Sequence, residues 1–187
     1  LEERQLQSGY AEMLKHGLIQ SSPYWETLKS VSTFDGLDTM IFTSVSIKNK
    51  VVTEDPTEQG LRKILNFGHT LGHAIESYFL ESTEHETLLH GEAIAIGMIL
   101  EGFLAHKLSG LSESEMEDIK STFLNRYEKV EFTDQDIQNI LSLLKFDKKN
   151  SHGKINFVLL EKIGEPVIDV QIPPNLYREA FAYYKEQ

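Results

Sequence analysis

The chain has 187 residues, of which 40% are hydrophobic and 25% are charged, a balance typical of a folded globular domain. Its formal net charge of -11, from 18 basic and 29 acidic residues, argues against a nucleic-acid-binding surface, because phosphate backbones are held by clustered Lys and Arg. The chain contains no cysteine, so disulfides are excluded and any metal site must use His, Asp or Glu ligands.

Helical patterns dominate the first three quarters of the chain. Apolar residues recur at helical spacing through the first segment, and Gly17 is expected near its end. Ser22 before Pro23 predicts the start of a second helix, and Asp35 opens the following turn. The next predicted elements are helices over 37–51, 61–79 and 90–107, and two helices capped by Ser112 and Thr133, the last ending near Leu144.

The C-terminal quarter predicts a hairpin and a final helix. Residues 155–160 form a β-rich run bounded by glycines, residues 167–172 are its expected partner, and a last amphipathic helix covers 174–185. The sequence therefore predicts one mainly α domain over residues 1–187, with several helices and a small β-hairpin near the C-terminus. The apolar run 93–100 is far shorter than the ~20 residues of a membrane helix, and no signal peptide is visible. We therefore expect a cytoplasmic protein.

Two blocks rich in histidine and glycine carry the chemical information. His69 and His73 are four residues apart in LNFGHTLGHA (residues 65–74), so on a helix they share one face and can address one ion or substrate. The second block, LHGEAIAIGM (residues 89–98), predicts a buried helix with His90 at its N-terminal end. Thr70 follows His69 where a zinc protease carries glutamate, so the protease interpretation fails.

On spacing alone, a metal site is only one interpretation of these blocks. A single helical histidine is more often exposed or hydrogen-bonded than a ligand. Lys15, Lys48 and Arg62 stand in helical segments that could face the same cleft, but solvated surface positions are equally consistent with their sequence context. Residues 147–150 would also pass as an ordinary polar loop.

Together the two blocks resemble the signature pair of the 3-dehydroquinate synthase family. Further segments resemble that family in the same order: GYAEMLKHG (residues 9–17) its first helix, residues 48–55 its lysine-containing segment, and residues 147–149 its late substrate-binding loop. The resemblance implies the C-terminal half of a dehydroquinate synthase-like fold. It also implies that the family's N-terminal NAD-binding domain is absent from this chain, which carries no glycine-rich dinucleotide motif after a strand. The sequence begins at Leu1 within an amphipathic pattern, which also predicts that the chain is part of a longer protein.

The resemblance assigns a role to each matching residue. It implies a zinc site, or a site for another divalent metal, with Glu12, His69 and His90 as ligands. The positions expected to hold the hydroxyl, carboxylate and phosphate groups of the substrate, or to lie beside it, are Lys15, Lys48, Glu58, Arg62, Asn66, His73 and Lys148. Lys149 remains an alternative to Lys148. Residues 81–88 are longer than is usual in the family and include an additional histidine, His85, whose role is open.

The implied reaction is an early step of the shikimate pathway. A carbon-oxygen lyase that uses NAD and zinc converts the sugar-acid phosphate 3-deoxy-D-arabino-heptulosonate 7-phosphate into 3-dehydroquinate and phosphate. The resemblance also implies a homodimer in the full-length enzyme and an inactive isolated chain. His73 is expected to relay a proton near the leaving phosphate, because an unperturbed imidazole titrates close to neutral pH.

Three other interpretations predict different observations. A 2-deoxy-scyllo-inosose synthase-like cyclase would share the metal and NAD but take a substrate without a carboxylate. An iron- or zinc-dependent alcohol or glycerol dehydrogenase shares the two-domain plan but lacks these blocks. A helical interaction domain without chemistry predicts no metal at Glu12, His69 and His90.

Overall fold

The computed structural model describes residues 2–150 and 153–186, with side chains omitted for residues 146–150. In chain order the elements are α1 (Glu3–Gln20), α2 (Ser22–Lys29), α3 (Asp38–Glu54), a 3-10 helix (Leu61–Asn66), α4 (His69–Glu81), α5 (His90–Leu108), α6 (Glu113–Leu124), α7 (Asp134–Asn150), β1 (Phe157–Lys162), β2 (Glu165–Val170) and α8 (Pro174–Lys185). The predicted mainly α domain with a C-terminal hairpin is confirmed. Within the described residues, no helix is both long enough and apolar enough to cross a membrane.

The central element is α5, which is apolar around its whole circumference. Every residue from Gly91 to Ala105 except Glu92 is buried. A helix without a polar face must be surrounded, and α5 packs against α1, α4, α6, α8 and β1. The His90 end of this helix is therefore held in place from several sides.

The crossing of α4 and α5 depends on glycine at two facing positions. A Cβ added to Gly97 on α5 would lie 2.0 Å from the Gly68 carbonyl oxygen and 2.8 Å from the Gly72 nitrogen. Gly68 has a φ of +77°, which L side chains rarely adopt, and it forms the N-cap of α4. The two backbones thus approach more closely than any side chain would allow.

The hairpin packs its first strand into the core. β1 and β2 are antiparallel, with Phe157 opposite Val170 and Leu159 opposite Val167. The first four residues of β1 are buried and pack against α5, whereas β2 is only partly buried. Lys63 of the 3-10 helix pairs with Asp169 of β2 at 2.9 Å, which joins the hairpin to the segment before α4.

Several predicted helix boundaries were wrong. Gly17 does not end α1, which continues to Gln20. Glycine is needed there because α2 crosses so closely that an added Cβ would lie 2.8 Å from the Trp25 Cα. The predicted helix over 61–79 is divided at Gly68 into a 3-10 helix and α4. The predicted helix capped by Thr133 corresponds to α7, which extends to Asn150 instead of ending near Leu144.

Caps and the final helix follow the sequence more closely. The Ser21 hydroxyl accepts the Tyr24 N–H at the start of α2, and Ser112 caps α6. Thr133 Oγ accepts the Asp136 N–H at the start of α7, as its sequence predicted. The range of α8 also agrees with its prediction.

The tight helix crossing leads to a stability prediction. We expect Gly97→Ala to lower the free energy of unfolding by about 1–3 kcal/mol, because its Cβ would push α4 and α5 apart. Gly102→Ala on the same helix is the matched control, since its Cβ would meet Ile119 only at an ordinary 3.6 Å. That control should be neutral or stabilising by up to ~1 kcal/mol. Urea unfolding followed by circular dichroism compares the two, and equal stability of both variants would contradict the crossing geometry.

Candidate functional site

Three histidines from two helices meet at one point. His69 and His73 lie one turn apart on α4, and His90 is the first residue of α5. Their ring centroids are 5.1 Å (His69–His73), 5.6 Å (His69–His90) and 5.8 Å (His73–His90) apart. One ring nitrogen of each lies within 4.8 Å of the others, so these three residues could hold a metal ion.

A carboxylate from the first helix completes this cluster. Glu12 Oε1 lies 3.3 Å from His69 Nε2 and 3.6 Å from His90 Nε2. That oxygen is buried and has no hydrogen-bond partner, whereas Oε2 accepts a bond from Lys15 Nζ at 2.6 Å. Burial opposes ionisation of Glu12, but the His69 ring and the Lys15 ammonium hold its pKa well below the ordinary value. Glu12 thus presents a charged, unshared oxygen to the two imidazoles.

The backbone and one further carboxylate orient the rings. His69 Nδ1 lies 3.1 Å from the Phe67 carbonyl oxygen, and His90 Nδ1 lies 3.1 Å from Glu76 Oε2. With Nδ1 donating to these oxygens, as it would beside a metal ion, the Nε2 atom of each ring is left available as a ligand on the side of Glu12. Histidines that ligate metals usually have such a partner on the other nitrogen, which fixes ring and tautomer.

Two lysines lie beside the cluster in different environments. Lys15 is only 3% exposed, and burial lowers its pKa, with the Lys48 charge acting in the same direction and Glu12 opposing both. Lys48 lies on α3 and is exposed. Its charge also helps to lower the pKa of His16, which places α3 within electrostatic reach of this end of α1. The cluster therefore has positive charge on one side despite the acidic chain.

A second group of predicted residues surrounds the 3-10 helix. Asn66 Nδ2 donates to Glu58 Oε1 at 2.8 Å, and Arg62 Nε lies 3.8 Å from Glu58 Oε2. Arg62 also donates from Nη1 to the Pro56 carbonyl at 3.0 Å. The Asp55 carboxylate shapes this turn by accepting backbone N–H groups, including that of Arg62 at 3.0 Å. These contacts tie Arg62 and Asn66 to the turn and not to the histidines.

Comparison with known proteins identifies the family. The family model described as "3-dehydroquinate synthase C-terminal" matches residues 9–150. The chain belongs to the 3-dehydroquinate synthase family. It is 39% identical over 194 residues to 3-dehydroquinate synthase from Parabacteroides distasonis, covering 100% of this chain and 53% of that protein. The corresponding protein from Helicobacter pylori is 40% identical over 174 residues, covering 92% of this chain and 49% of that protein. The chain thus spans about half the length of these relatives.

Two solved structures share the fold of this chain. The 2-epi-5-epi-valiolone synthase ValA from Streptomyces hygroscopicus, with NAD+ and Zn2+ bound, has a TM-score of 0.74 at 23% identity and covers 98% of this chain. A 2-deoxy-scyllo-inosose synthase complexed with carbaglucose-6-phosphate, NAD+ and Co2+ also has a TM-score of 0.74 at 23% identity, covering 96% of this chain. The chain covers 52% and 51% of those two chains, so it corresponds to one half of this cyclase fold.

The residues that the 3-dehydroquinate synthase resemblance singled out fall into two spatial groups. Glu12, Lys15, His69, His73 and His90 lie together, with Lys48 on the adjacent α3. Glu58, Arg62 and Asn66 form the second group. The side chain of Lys148 lies outside the described residues, as does that of its alternative, Lys149.

Several residues near the site carried no sequence prediction. Glu76 orients His90, and His16 is buried with its Nδ1 2.6 Å from Ser44 Oγ. Glu76 stands three residues after His73, a helical spacing that could have indicated a shared face. His85, whose role was open, lies outside the cluster, where its Nε2 is 3.1 Å from Asp136 Oδ1.

Burial of His16 predicts a pH dependence of stability. Burial and the Lys15 charge lower the pKa of His16 from 6.5 to about 4. Because the unfolded chain binds this proton near pH 6.5 and the folded chain does not, stability is complete above pH 6.5 and falls as the pH drops towards 4. We expect the metal-free protein to lose about 3 kcal/mol across this window at ~1.4 kcal/mol per pH unit. His16→Asn, which can still bond Ser44, should reduce this loss of stability at low pH, measured by urea unfolding at several pH values. An unchanged dependence of stability on pH would contradict the role of His16.

Proposed function

We propose that this chain is the metal- and substrate-binding part of a 3-dehydroquinate synthase. The complete enzyme would be a carbon-oxygen lyase that converts 3-deoxy-D-arabino-heptulosonate 7-phosphate into 3-dehydroquinate and phosphate. The observation that carries the proposal is the meeting of Glu12, His69 and His90, from three separate helices, in a chain of this family. The curated relatives bearing that name match the chain over nearly its whole length.

The donor set fits a divalent metal such as Zn2+. Two imidazole Nε2 atoms and one carboxylate oxygen form a three-ligand set that leaves coordination positions for substrate, as catalytic zinc sites do. Glu12 Oε1 supports the fit, because this buried carboxylate oxygen lacks a hydrogen-bond partner and would gain one bond to a cation. When bound, such an ion would act as a Lewis acid that lowers the pKa of a coordinated hydroxyl.

His73 is proposed as a proton-transfer residue and not a fourth ligand. Burial and the neighbouring His69 and His90 lower its pKa, although the ring keeps an exposed face. The ring is therefore neutral at neutral pH and can accept a proton from substrate. Its position one turn after His69 places it beside the proposed metal, where the substrate hydroxyl would bind.

The cations fit a substrate that carries both a carboxylate and a phosphate. Lys15 is already fixed by Glu12 and needs no reordering to face an anion. Lys48 is exposed and can meet substrate from α3. Arg62 donates one bond to the Pro56 carbonyl, and its remaining N–H groups can grip a carboxylate with two parallel bonds.

NAD+ would accept a hydride from a substrate hydroxyl in the proposed reaction. The structures of related cyclases contain NAD+, but this chain matches only about half of each. We propose that the corresponding other half holds the nucleotide. The exposed apolar residues Ile41, Phe42 and Val45 on α3 offer a surface for a further domain or a second subunit of the proposed homodimer.

A second candidate is a cyclase for a substrate without a carboxylate. The structural similarity to a 2-deoxy-scyllo-inosose synthase supports this second candidate. The relatives in sequence and the presence of Arg62, Asn66 and His73 favour the sugar-acid phosphate. Phosphate release from 3-deoxy-D-arabino-heptulosonate 7-phosphate and from glucose 6-phosphate by the full-length enzyme separates the two, since each candidate accepts only one of these compounds.

Metal titrations of single variants test the ligand assignment. We expect Glu12→Gln and His69→Asn each to weaken Zn2+ binding at least 100-fold, because each removes a direct ligand. His73→Asn is the matched control on the same helix and should change the Zn2+ dissociation constant less than threefold, while the same substitution should reduce turnover of the full-length enzyme. Competition with a chromophoric chelator measures all three. Equal loss in His73→Asn would show that His73 is a ligand.

Activity of the isolated chain tests the proposal that the nucleotide binds to the other half of the enzyme. We expect no synthase activity from this chain supplied with Zn2+ and NAD+, because without hydride transfer the proton beside the future ketone is not acidified. Phosphate release by the full-length protein under the same conditions is the comparison. Turnover by the isolated chain near the full-length rate would contradict the proposed location of the nucleotide site.

A further inference from the structure

A completely buried carboxyl group, that of Glu101, lies at the start of α4, the helix that carries two of the histidines. Glu101 of α5 is 0% exposed. Its Oε2 accepts the Gly68 N–H at 2.6 Å and its Oε1 accepts the Leu71 N–H at 3.0 Å, with the Thr70 N–H as a further donor. A buried carboxyl of this kind is costly unless its oxygens are fully bonded, so its placement requires an explanation.

The start of α4 cannot satisfy its own backbone. Helix N-caps usually supply a side-chain oxygen to the N–H groups of the second or third helical residue. Gly68 occupies the N-cap of α4 and has no side chain, and its positive φ together with the close approach of α5 excludes a larger residue. Glu101 accepts from Thr70 and Leu71, which are the second and third residues of α4, and so acts as the missing cap from another helix.

The bonds of Glu101 enclose the backbone of His69. Its three donors belong to residues 68, 70 and 71, on both sides of the first residue of α4. His69 itself has little freedom beyond its side-chain torsions, and its Nδ1 faces the Phe67 carbonyl. Fixing these amides therefore fixes the position from which the His69 ring points at Glu12.

The same helix also carries His90. Glu101 follows His90 by eleven residues on α5, which corresponds to about 16 Å along the helix axis. The first residue of α5 is thus His90, and a later turn of the same helix holds the start of α4 through Glu101. A single, almost fully buried helix sets the distance between the two histidines.

We propose that Glu101 is a positioning residue for the metal site, holding His69 in place through the first-turn amides of α4. The inference rests on the proposed metal-binding function. It adds that the site depends on a side chain that touches neither the metal nor the substrate. Substitutions of residues that orient metal ligands weaken metal binding by roughly 10–100-fold.

Glu101→Gln tests the proposal with little change in volume. The amide keeps one acceptor oxygen but points an NH2 group at backbone donors. We expect Zn2+ affinity to fall at least tenfold and exchange of the Thr70 and Leu71 amides to accelerate at least tenfold. Glu115→Gln is the matched control, because Glu115 accepts the Ser112 N–H at the start of α6 and the Ile163 N–H between the two strands, away from the histidines. It should leave Zn2+ affinity within threefold of the native value.

A metal-free readout separates this proposal from that of the metal site. In histidine ring NMR spectra of the metal-free protein, Glu101→Gln should shift the His69 and His73 signals and leave His106 unchanged. Failure of the native protein to bind Zn2+ would overturn the proposed metal site, whereas unchanged His69 signals would overturn the role of Glu101. Unchanged Zn2+ affinity with accelerated exchange would also overturn it.

Amide hydrogen exchange of the unsubstituted protein tests the proposal even if Glu101→Gln does not fold. In the unsubstituted, metal-free protein, the Thr70 and Leu71 amides should be protected to the level of the middle of α4, because a buried carboxyl accepts them. Protection no greater than that of an exposed helix start, such as residues 113–115, would show that Glu101 does not cap α4.

Discussion

The contact between the α4 and α5 backbones sets the relative positions of the three clustered histidines. Gly68 and Gly97 allow the two helices to touch, and Glu101 bonds across the same crossing. The close approach has two results. It buries the start of α4 so that water cannot satisfy its amides, and it brings a carboxylate near enough to do so. The two glycines and Glu101 therefore depend on one another. The glycines allow the close approach of the helices, and that approach makes the Glu101 bonds necessary.

Local electrostatics at the site run against the charge of the whole chain. The net charge of -11 would repel an anionic substrate at long range, although salt screens such effects beyond about 8–10 Å. Within the cluster, Lys15 is buried and bonded to Glu12, so its charge is fixed and poorly screened. An immobile cation in a partly desolvated site acts more strongly on a nearby anion than a mobile surface carboxylate does, because Coulomb energies rise as the effective dielectric constant falls.

The sequence predicted the helices and strands better than their ends, and the histidines that lie together better than the residues that hold them in place. The apolar run of α5 and the caps at Ser112 and Thr133 were readable because they are local patterns. The break at Gly68 was not, since only the crossing with α5 shows that this glycine lies outside the helix with positive φ. Glu101 was also missed for this reason: nothing in its own neighbourhood indicates that its partners lie some 30 residues earlier. Long-range contacts that satisfy backbone groups leave little trace in local periodicity.

The proposed ligands are each held in position by contacts with the rest of the protein. Glu12 is held by Lys15, His90 by Glu76, and His69 by the backbone around Phe67. Ordering three segments as distant as α1, α4 and α5 costs conformational entropy, and here the packing of α5 meets that cost during folding. A metal at a site whose ligands are held by the protein in this way would spend little of its binding free energy on ordering the chain. The ligand geometry is then set by the helices and not by the preference of the ion, which suits a site that must leave positions open for substrate.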